Sequence, residues 1–398
     1  MVEAARRLQP RKLMWRTIVL GLAALASACS TIVPRDTGPP PPPPTEAPRP
    51  VTPRPMQPGI PEDNERHRVA LLVPLTGANG AVGRSLANAT QLALLDTRNE
   101  QIRVTTYDTA LGAPAAAQRA IADGARLILG PLLADDVRSV APIARRAGVP
   151  VLSFSNDAGV AGNGAYLMGY APAQSIERVV DYAKRSGISQ FAGLMPSGLY
   201  GERASTAFLR AVERSGGSVT SVQTYDRSAG SITAAVGRMR GTPYQAILIA
   251  DSAGTASLAV PALRRSGGAG ARVLGTELWN ADAAIGRNAA LQGAWFASVS
   301  DSLYRQYATK YRARFGAAPY RLSSLGYDAV LLTVRIARDW RVGDNFPERR
   351  LTDSDGFAGL DGAFRFTRDG IAERALEVQE IKGGTTTTVS PAPQGFGR

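Results

Sequence analysis

Two residue types that occur once each, Cys29 and His67, limit the chemistry open to this chain. A lone cysteine rules out an internal disulfide, and one cysteine with one histidine rules out a Cys/His zinc site. A Ser-His-Asp or Cys-His centre would have to use His67, which stands at the edge of the first predicted strand. The commonest acid–base residue is thus nearly absent, and hydrolase chemistry is disfavoured. No metal set or cofactor motif is legible, so the chain reads as non-catalytic.

Hydroxyls, glycines and a carboxylate recur at a different kind of place. In open α/β sheets, ligands bind in the crevice beyond the carboxyl ends of the strands. The residues just past the predicted strands are Thr76 and Gly77, Gly130 and Pro131, Ser153 and Ser155, Tyr200 and Gly201, and Asp251 and Ser252. Ser153 and Ser155, two apart at a strand end, face the same side. Their hydroxyls, with the free N–H groups at the following helix starts, suit a carboxylate. Asp251 suits an ammonium and Tyr200 an apolar side chain, and an amino acid needs that set of groups. Each of these residues is equally an ordinary turn or N-cap residue.

The elements that must position them alternate regularly. HRVALLVPL is a continuous apolar run, as expected of a buried parallel strand, and residues 82–96 (VGRSLANATQLALLD) have helical periodicity. IRVTTYD, ARLILGP and VPVLSFS are further strands, separated by helices at 113–123 and over DDVRSVAPIARRAG. The pattern then restarts, with helices at 174–186, 202–215, 231–240 and 255–266 and strands ISQFAGLMP, SVTSVQTYD, YQAILIAD and RVLGTELW. Two further helices are expected at 304–315 and 323–340, and GAFRFTRDG reads as a hairpin. This is β-α-β alternation in two consecutive units, each a mostly parallel sheet covered by helices.

Ahead of that part lies a segment of another texture. Arg6, Arg7, Arg11, Lys12 and Arg16 precede an apolar stretch at 17–26 (TIVLGLAALA), too short to span a bilayer comfortably. Ala26-Ser27-Ala28-Cys29 follows and resembles a lipobox, with Ala26 at the usual Leu position and Leu25 one place earlier. The alternative is a plain A-x-A cleavage site with an incidental cysteine. Lipidation is favoured because the chain's only cysteine falls at the cleavage position; several acyl chains on Cys29 would anchor far more firmly than one. By resemblance to bacterial lipoproteins, Ser30 after the cysteine directs sorting to the outer membrane. Residues 34–61 contain 13 prolines, a composition that favours extended polyproline II and spans on the order of 80 Å.

The formal net charge is +13, of which +9 remains without residues 1–28. The positive residues are spread along the chain and aromatics make up only 7%, which argues against nucleic acid as a partner.

The succession VALLVPLTG, RLILGP, VPVLSFSN, PSGLYGERA, YQAILIADSAG and LSSLGYDAV resembles the type I periplasmic binding fold of the leucine/amino-acid family, from about residue 66 to 384. That resemblance implies two lobes joined by three crossings, near Tyr170, Ser298 and Gly356. Lobe 1 would be 66–170 plus 299–355 and lobe 2 171–298 plus 356–384, after a signal peptide (1–28) and a lipidated tether (29–65) and before a loose tail (385–398). It also implies ligand contacts at Ser153, Ser155, Tyr200 and Asp251. At Leu132-Leu133-Ala134 those binders commonly carry a Ser-rich turn that grips the carboxylate.

ILGPLLADDVRSVAPIARRAGVPVLSFSND, AGNGAYLMGY and FAGLDGAFRFTRDGIAERALEV are particularly similar to outer-membrane lipoproteins that activate class A penicillin-binding proteins. Some of those activators also carry an N-terminal helical-repeat domain, where this chain has only the proline-rich segment. The resemblance implies a protein-interaction module on the periplasmic face of the outer membrane, with a bifunctional peptidoglycan synthase as partner. The other use of the same fold is an amino-acid-binding protein serving an ABC importer.

Overall fold

A computed structural model describes residues 65–393, 395 and 396. The expected signal segment, Cys29 and the tether up to residue 64 lie outside the described residues.

The first lobe is built from β1 (His67–Val73), α1 (Gly80–Thr97), β2 (Ile102–Asp108), α2 (Ala113–Ala122), β3 (Leu127–Leu129), α3 (Ala134–Arg146), β4 (Val151–Ser153) and β5 (Ala165–Leu167). Its sheet is parallel throughout, in the order β2-β1-β3-β4-β5. The run HRVALLV has no polar alternation because both faces of β1 are covered. Val69, Leu71 and Val73 enter one apolar cluster, and Ala70 and Leu72 enter another on the opposite face.

The second lobe follows with α4 (Pro172–Arg185), β6 (Gln190–Pro196), α5 (Leu199–Arg214), β7 (Ser218–Tyr225), α6 (Ala229–Arg238), β8 (Ala246–Ile249), α7 (Ala253–Leu263), β9 (Arg272–Gly275) and β10 (Trp295–Ser298). The chain then returns to the first lobe as α8 (Ser302–Phe315) and α9 (Ser324–Ala337), and α9 lies along α1. After these come β11 (Phe357–Gly359), β12 (Gly362–Phe366), β13 (Ala372–Arg374), β14 (Glu377–Lys382) and β15 (Thr385–Ser390). The second sheet has seven strands in the order β15-β14-β10-β9-β8-β6-β7, with β14 and β15 antiparallel to their neighbours.

Four features differ from the sequence expectations. Residues 357–374 form a separate three-stranded sheet whose Phe357, Phe364, Phe366 and Ala372 pack into the first lobe's core, so the last passage into the second sheet lies between β13 and β14 rather than near Gly356. The expected loose tail begins instead as β15, because Gly383 and Gly384, both at positive φ, make a two-residue hairpin and the threonines after them suit a strand. In RVLGTELW the strand stops at Gly275. A Cβ there would sit 2.3 Å from the Trp279 ring, which folds back over the glycine as the chain turns. Finally, β5 lies in a Gly-rich stretch with only three strand residues, too short to leave a period.

The two lobes share one device at the start of their first βα unit. A Cβ on Gly83 would fall 1.7 Å from the carbonyl oxygen of Pro74, and one on Gly201 would fall 1.6 Å from that of Pro196. Only glycine lets α1 and α5 seat so closely on the strand ends, which makes Gly201 a packing residue. Gly201→Ala should overpack this contact by ~1–3 kcal/mol and lower the melting temperature by several degrees. Gly237→Ala on the open face of α6, where nothing lies within 4 Å, should leave it unchanged or raise it. Scanning calorimetry of both variants checks the pair.

Candidate functional site

The carboxyl ends of the strands face the crevice, and the side chains there are engaged with one another. On the first lobe, Gly77 takes positive φ and the exposed Thr76 donates to Asp108 at 3.3 Å. Gly130 also has positive φ, and a Cβ there would lie 2.1 Å from the Leu72 carbonyl oxygen, so it is a close-approach glycine. Ser153 is fully buried; its hydroxyl donates to the Pro131 carbonyl at 2.9 Å and accepts from the Ser155 N–H at 3.0 Å. The Ser155 hydroxyl accepts from the Asp157 N–H at 3.2 Å. The two serines thus fasten a turn that delivers the Asp157 carboxylate to Arg138 Nη2 at 2.5 Å and to Arg203 Nη2 of the second lobe at 3.5 Å. Beside them, Leu133 stands at the N-cap of α3 and offers no side-chain cap.

On the second lobe, the Tyr200 hydroxyl donates to Glu277 Oε1 at 3.0 Å and lies 3.2 Å from the Thr276 hydroxyl, and Ser175 donates to the other Glu277 oxygen. Burial raises both the Glu277 carboxyl and the Tyr200 phenol above their ordinary values; for Tyr200 the neighbouring Glu277 charge adds to this. The Tyr200 hydroxyl thus holds a buried carboxyl. Asp251, 4% exposed, meets Arg227 Nε at 2.8 Å, the Tyr225 hydroxyl at 3.0 Å and the Ser252 N–H at 2.7 Å. Ser252 caps α7 by accepting from the Thr255 N–H at 3.2 Å. The hydroxyls and carboxylates read from the sequence as ligand groups thus sit at their strand ends, each with an intramolecular partner.

Glu277 was missed by sequence reasoning because the strand before it was read too long. With β9 ending at Gly275, the strand-end rule would have reached it. His67 and Trp340 stack on each other at 3.8 Å between ring centroids, which accounts for both as structural residues.

A profile of the periplasmic binding protein family matches residues 67–386. The chain belongs to that family. A putative branched-chain amino acid ABC transporter protein from Rhodospirillum rubrum is similar over 81% of this chain and all of its own length, with 22% identity and a TM-score of 0.71. Full-length LpoA from Haemophilus influenzae is similar over 82% of this chain and 60% of its own, with 18% identity and a TM-score of 0.64. Both likenesses establish the fold. An uncharacterized protein of Rickettsia prowazekii is 23% identical over 177 residues, 44% of this chain; the match spans about half of that protein, 47%.

In this periplasmic binding protein a cluster of buried charges lies at the passage between lobes. Arg321 Nη1 meets Asp361 at 2.8 Å, Ser324 donates to Asp361 at 2.8 Å, and the Tyr170 hydroxyl donates to the same carboxylate. Arg374 reaches the Met168 carbonyl at 2.7 Å and lies over the rings of Tyr170 and Phe364, 5.0 and 5.1 Å from their centroids. Asp328 is wholly buried beside this group and accepts from the Leu360 N–H at 2.6 Å. These residues left no sequence signal because Arg321 and Asp361 are 40 residues apart.

The two buried carboxyls shift in opposite directions. Burial, aided by the Asp361 charge and opposed by Arg374, raises Asp328 to about 7. Burial alone would raise Asp361 too, but Arg321 and Arg374 outweigh it and lower that carboxyl. A raised carboxyl stabilises the fold fully below its unfolded value and loses that contribution as pH rises through the folded one. The Asp328 contribution should therefore fade between about pH 4 and pH 7. Asp328→Asn should flatten the dependence of melting temperature on pH across that window. An unchanged slope in the variant would show that Asp328 is not the group responsible.

Proposed function

We propose that this chain is a non-catalytic lipoprotein, held through an acylated Cys29 at the periplasmic face of the outer membrane, that activates a class A penicillin-binding protein by protein–protein contact. The observation that carries this reading is the state of the crevice. Asp157, Asp251 and Glu277 are bound by Arg138 and Arg203, by Arg227 and Tyr225, and by Ser175 and Tyr200. An incoming amino acid would have to break those contacts before it made its own, and desolvated groups left unpaired cost about 1–3 kcal/mol each. Leu133 at the start of α3 supplies no hydroxyl for a carboxylate.

The sequence outside the described residues supports the same reading. A tether of about 80 Å is longer than a lipid surface requires and suits a module that must reach a synthase in the opposite membrane. Ser30 favours outer-membrane sorting, whereas a solute-binding protein that hands cargo to an inner-membrane importer has no use for that location. The likeness to full-length LpoA is compatible with the proposal and, at 18% identity, speaks for the fold alone.

Affinity capture on the full chain from detergent-solubilised envelopes should recover a bifunctional peptidoglycan synthase. Calorimetry with the common amino acids should show no binding at micromolar concentration. Micromolar affinity for any one of them, with an importer permease captured in place of the synthase, would move the assignment to transport. The anchor is tested separately: Cys29→Ser should abolish incorporation of labelled palmitate and release the chain from the membrane fraction. Membrane retention without label would leave Cys29 with no anchoring role.

A further inference from the structure

A cavity of about 660 Å³ is lined by none of the ten strand-end residues considered above. One wall is the face of α8 that carries Arg305, Ala308, Thr309 and Arg312. The opposite wall comes from the second lobe: the 280–287 loop with Asp282 and Arg287, and the Gly384–Thr386 turn. The spacing of the α8 residues puts them on one side of the helix, with the two arginines about 10 Å apart along its axis and small side chains between them. Among the described residues, Arg287, Arg305 and Arg312 have no ion-pair or side-chain hydrogen-bond partner. Arg321 also lines the cavity with a side chain only 8% exposed; its Nε and Nη2 lack hydrogen-bond partners among the described residues, although Nη2 lies 3.3 Å from the Asp301 carboxylate.

We infer that this cavity binds a short acidic peptide bridging the two lobes. Three guanidinium groups without ion-pair partners among the described residues, Arg287, Arg305 and Arg312, face the Asp282 carboxylate across its walls, while Arg321 is engaged by Asp361 and Asp301. The surplus of positive charge selects a ligand with acidic groups, and the separation of Arg305 and Arg312 suits two of them rather than one. Asp282 opposes a uniformly anionic chain such as polyphosphate and instead suits a ligand that also carries an amine. The cavity's size is that of a site for a small ligand. Arg305 and Arg312 belong to the first lobe and Arg287 to the second, so an occupant would hold the lobes together. This inference stands independently of the proposed activator role.

Triglutamate with a free N-terminus is the probe, titrated calorimetrically into the full chain in detergent at low salt. Sub-millimolar binding is expected, weakening at least tenfold in Arg305→Glu/Arg312→Glu and severalfold in Arg287→Ala. Tripolyphosphate and N-acetylated triglutamate should each bind several times more weakly than the free peptide. All three arginines are exposed, so the variants should keep the parent melting temperature; if the double variant does not, Arg305→Gln and Arg287→Ala carry the test. No heat with millimolar triglutamate, equal affinity for tripolyphosphate, or binding untouched by these substitutions would overturn the inference.

Discussion

The ion pair between Arg321 and Asp361 organises the junction of the lobes, because each partner comes from a segment that must be placed before the other can be neutralised. Arg321 stands just ahead of α9, and Asp361 turns the chain between β11 and β12. Asp361 is shut away from water, so it needs all of its partners: Arg321, Ser324 and Tyr170. Removing one member of such a buried pair typically costs about 3–5 kcal/mol, because the survivor is left charged and unpaired. The pair's net contribution to stability is small beside that penalty. Its effect is to allow one arrangement of α9, the small sheet and the first crossing, and to make the alternatives expensive. Arg374 extends the same logic: its cation lies against two aromatic faces, an environment that tolerates charge without consuming every donor.

The crevice is where fold and function part company. A sheet with helices on both faces presents strand ends and helix starts to the space between the lobes whatever the chain does. What separates a receptor for small molecules from a contact module is whether the polar groups there are left open. In this chain Ser153 and Ser155 are consumed in a turn that presents Asp157, and Asp157 is consumed by arginines from both lobes. The same residue types would serve an amino acid if their partners were missing, so their presence alone decides little.

Much of the architecture was legible in the sequence because it rests on periodicity. The apolar run from Val69 to Val73 could only be a strand covered on both faces, and the helices after it repeat their small and apolar residues at helical spacing. What escaped was set by tertiary contact or by short elements. Gly275 ends a strand because Trp279 lies on it, and neither residue signals this alone. The sheet at 357–374 joins the first lobe through Phe357, Phe364 and Phe366, and an apolar strand carries no label for which core it will enter. The site positions were legible as positions and illegible as chemistry: strand ends follow from pattern, whereas the pairing of Asp251 with Arg227 depends on where two loops meet.

The ties between the lobes are unequal, and that inequality bears on how the domain behaves as a surface. Near the crossings, Gln174 donates to the Ala372 carbonyl at 2.7 Å and accepts from the Arg374 N–H at 3.0 Å, while Arg178 reaches the Leu376 carbonyl at 3.0 Å. These contacts involve backbone groups and half-buried side chains. At the crevice, Asp157, 6% exposed, pairs at 3.5 Å with Arg203, whose side chain is 51% exposed. At that distance, and with its cation half in water, the pair is weaker than a close buried one and weakens further with salt. Asp157, Asp251 and Glu277 already have partners within the chain, so these crevice groups present a surface whose side chains are held in place.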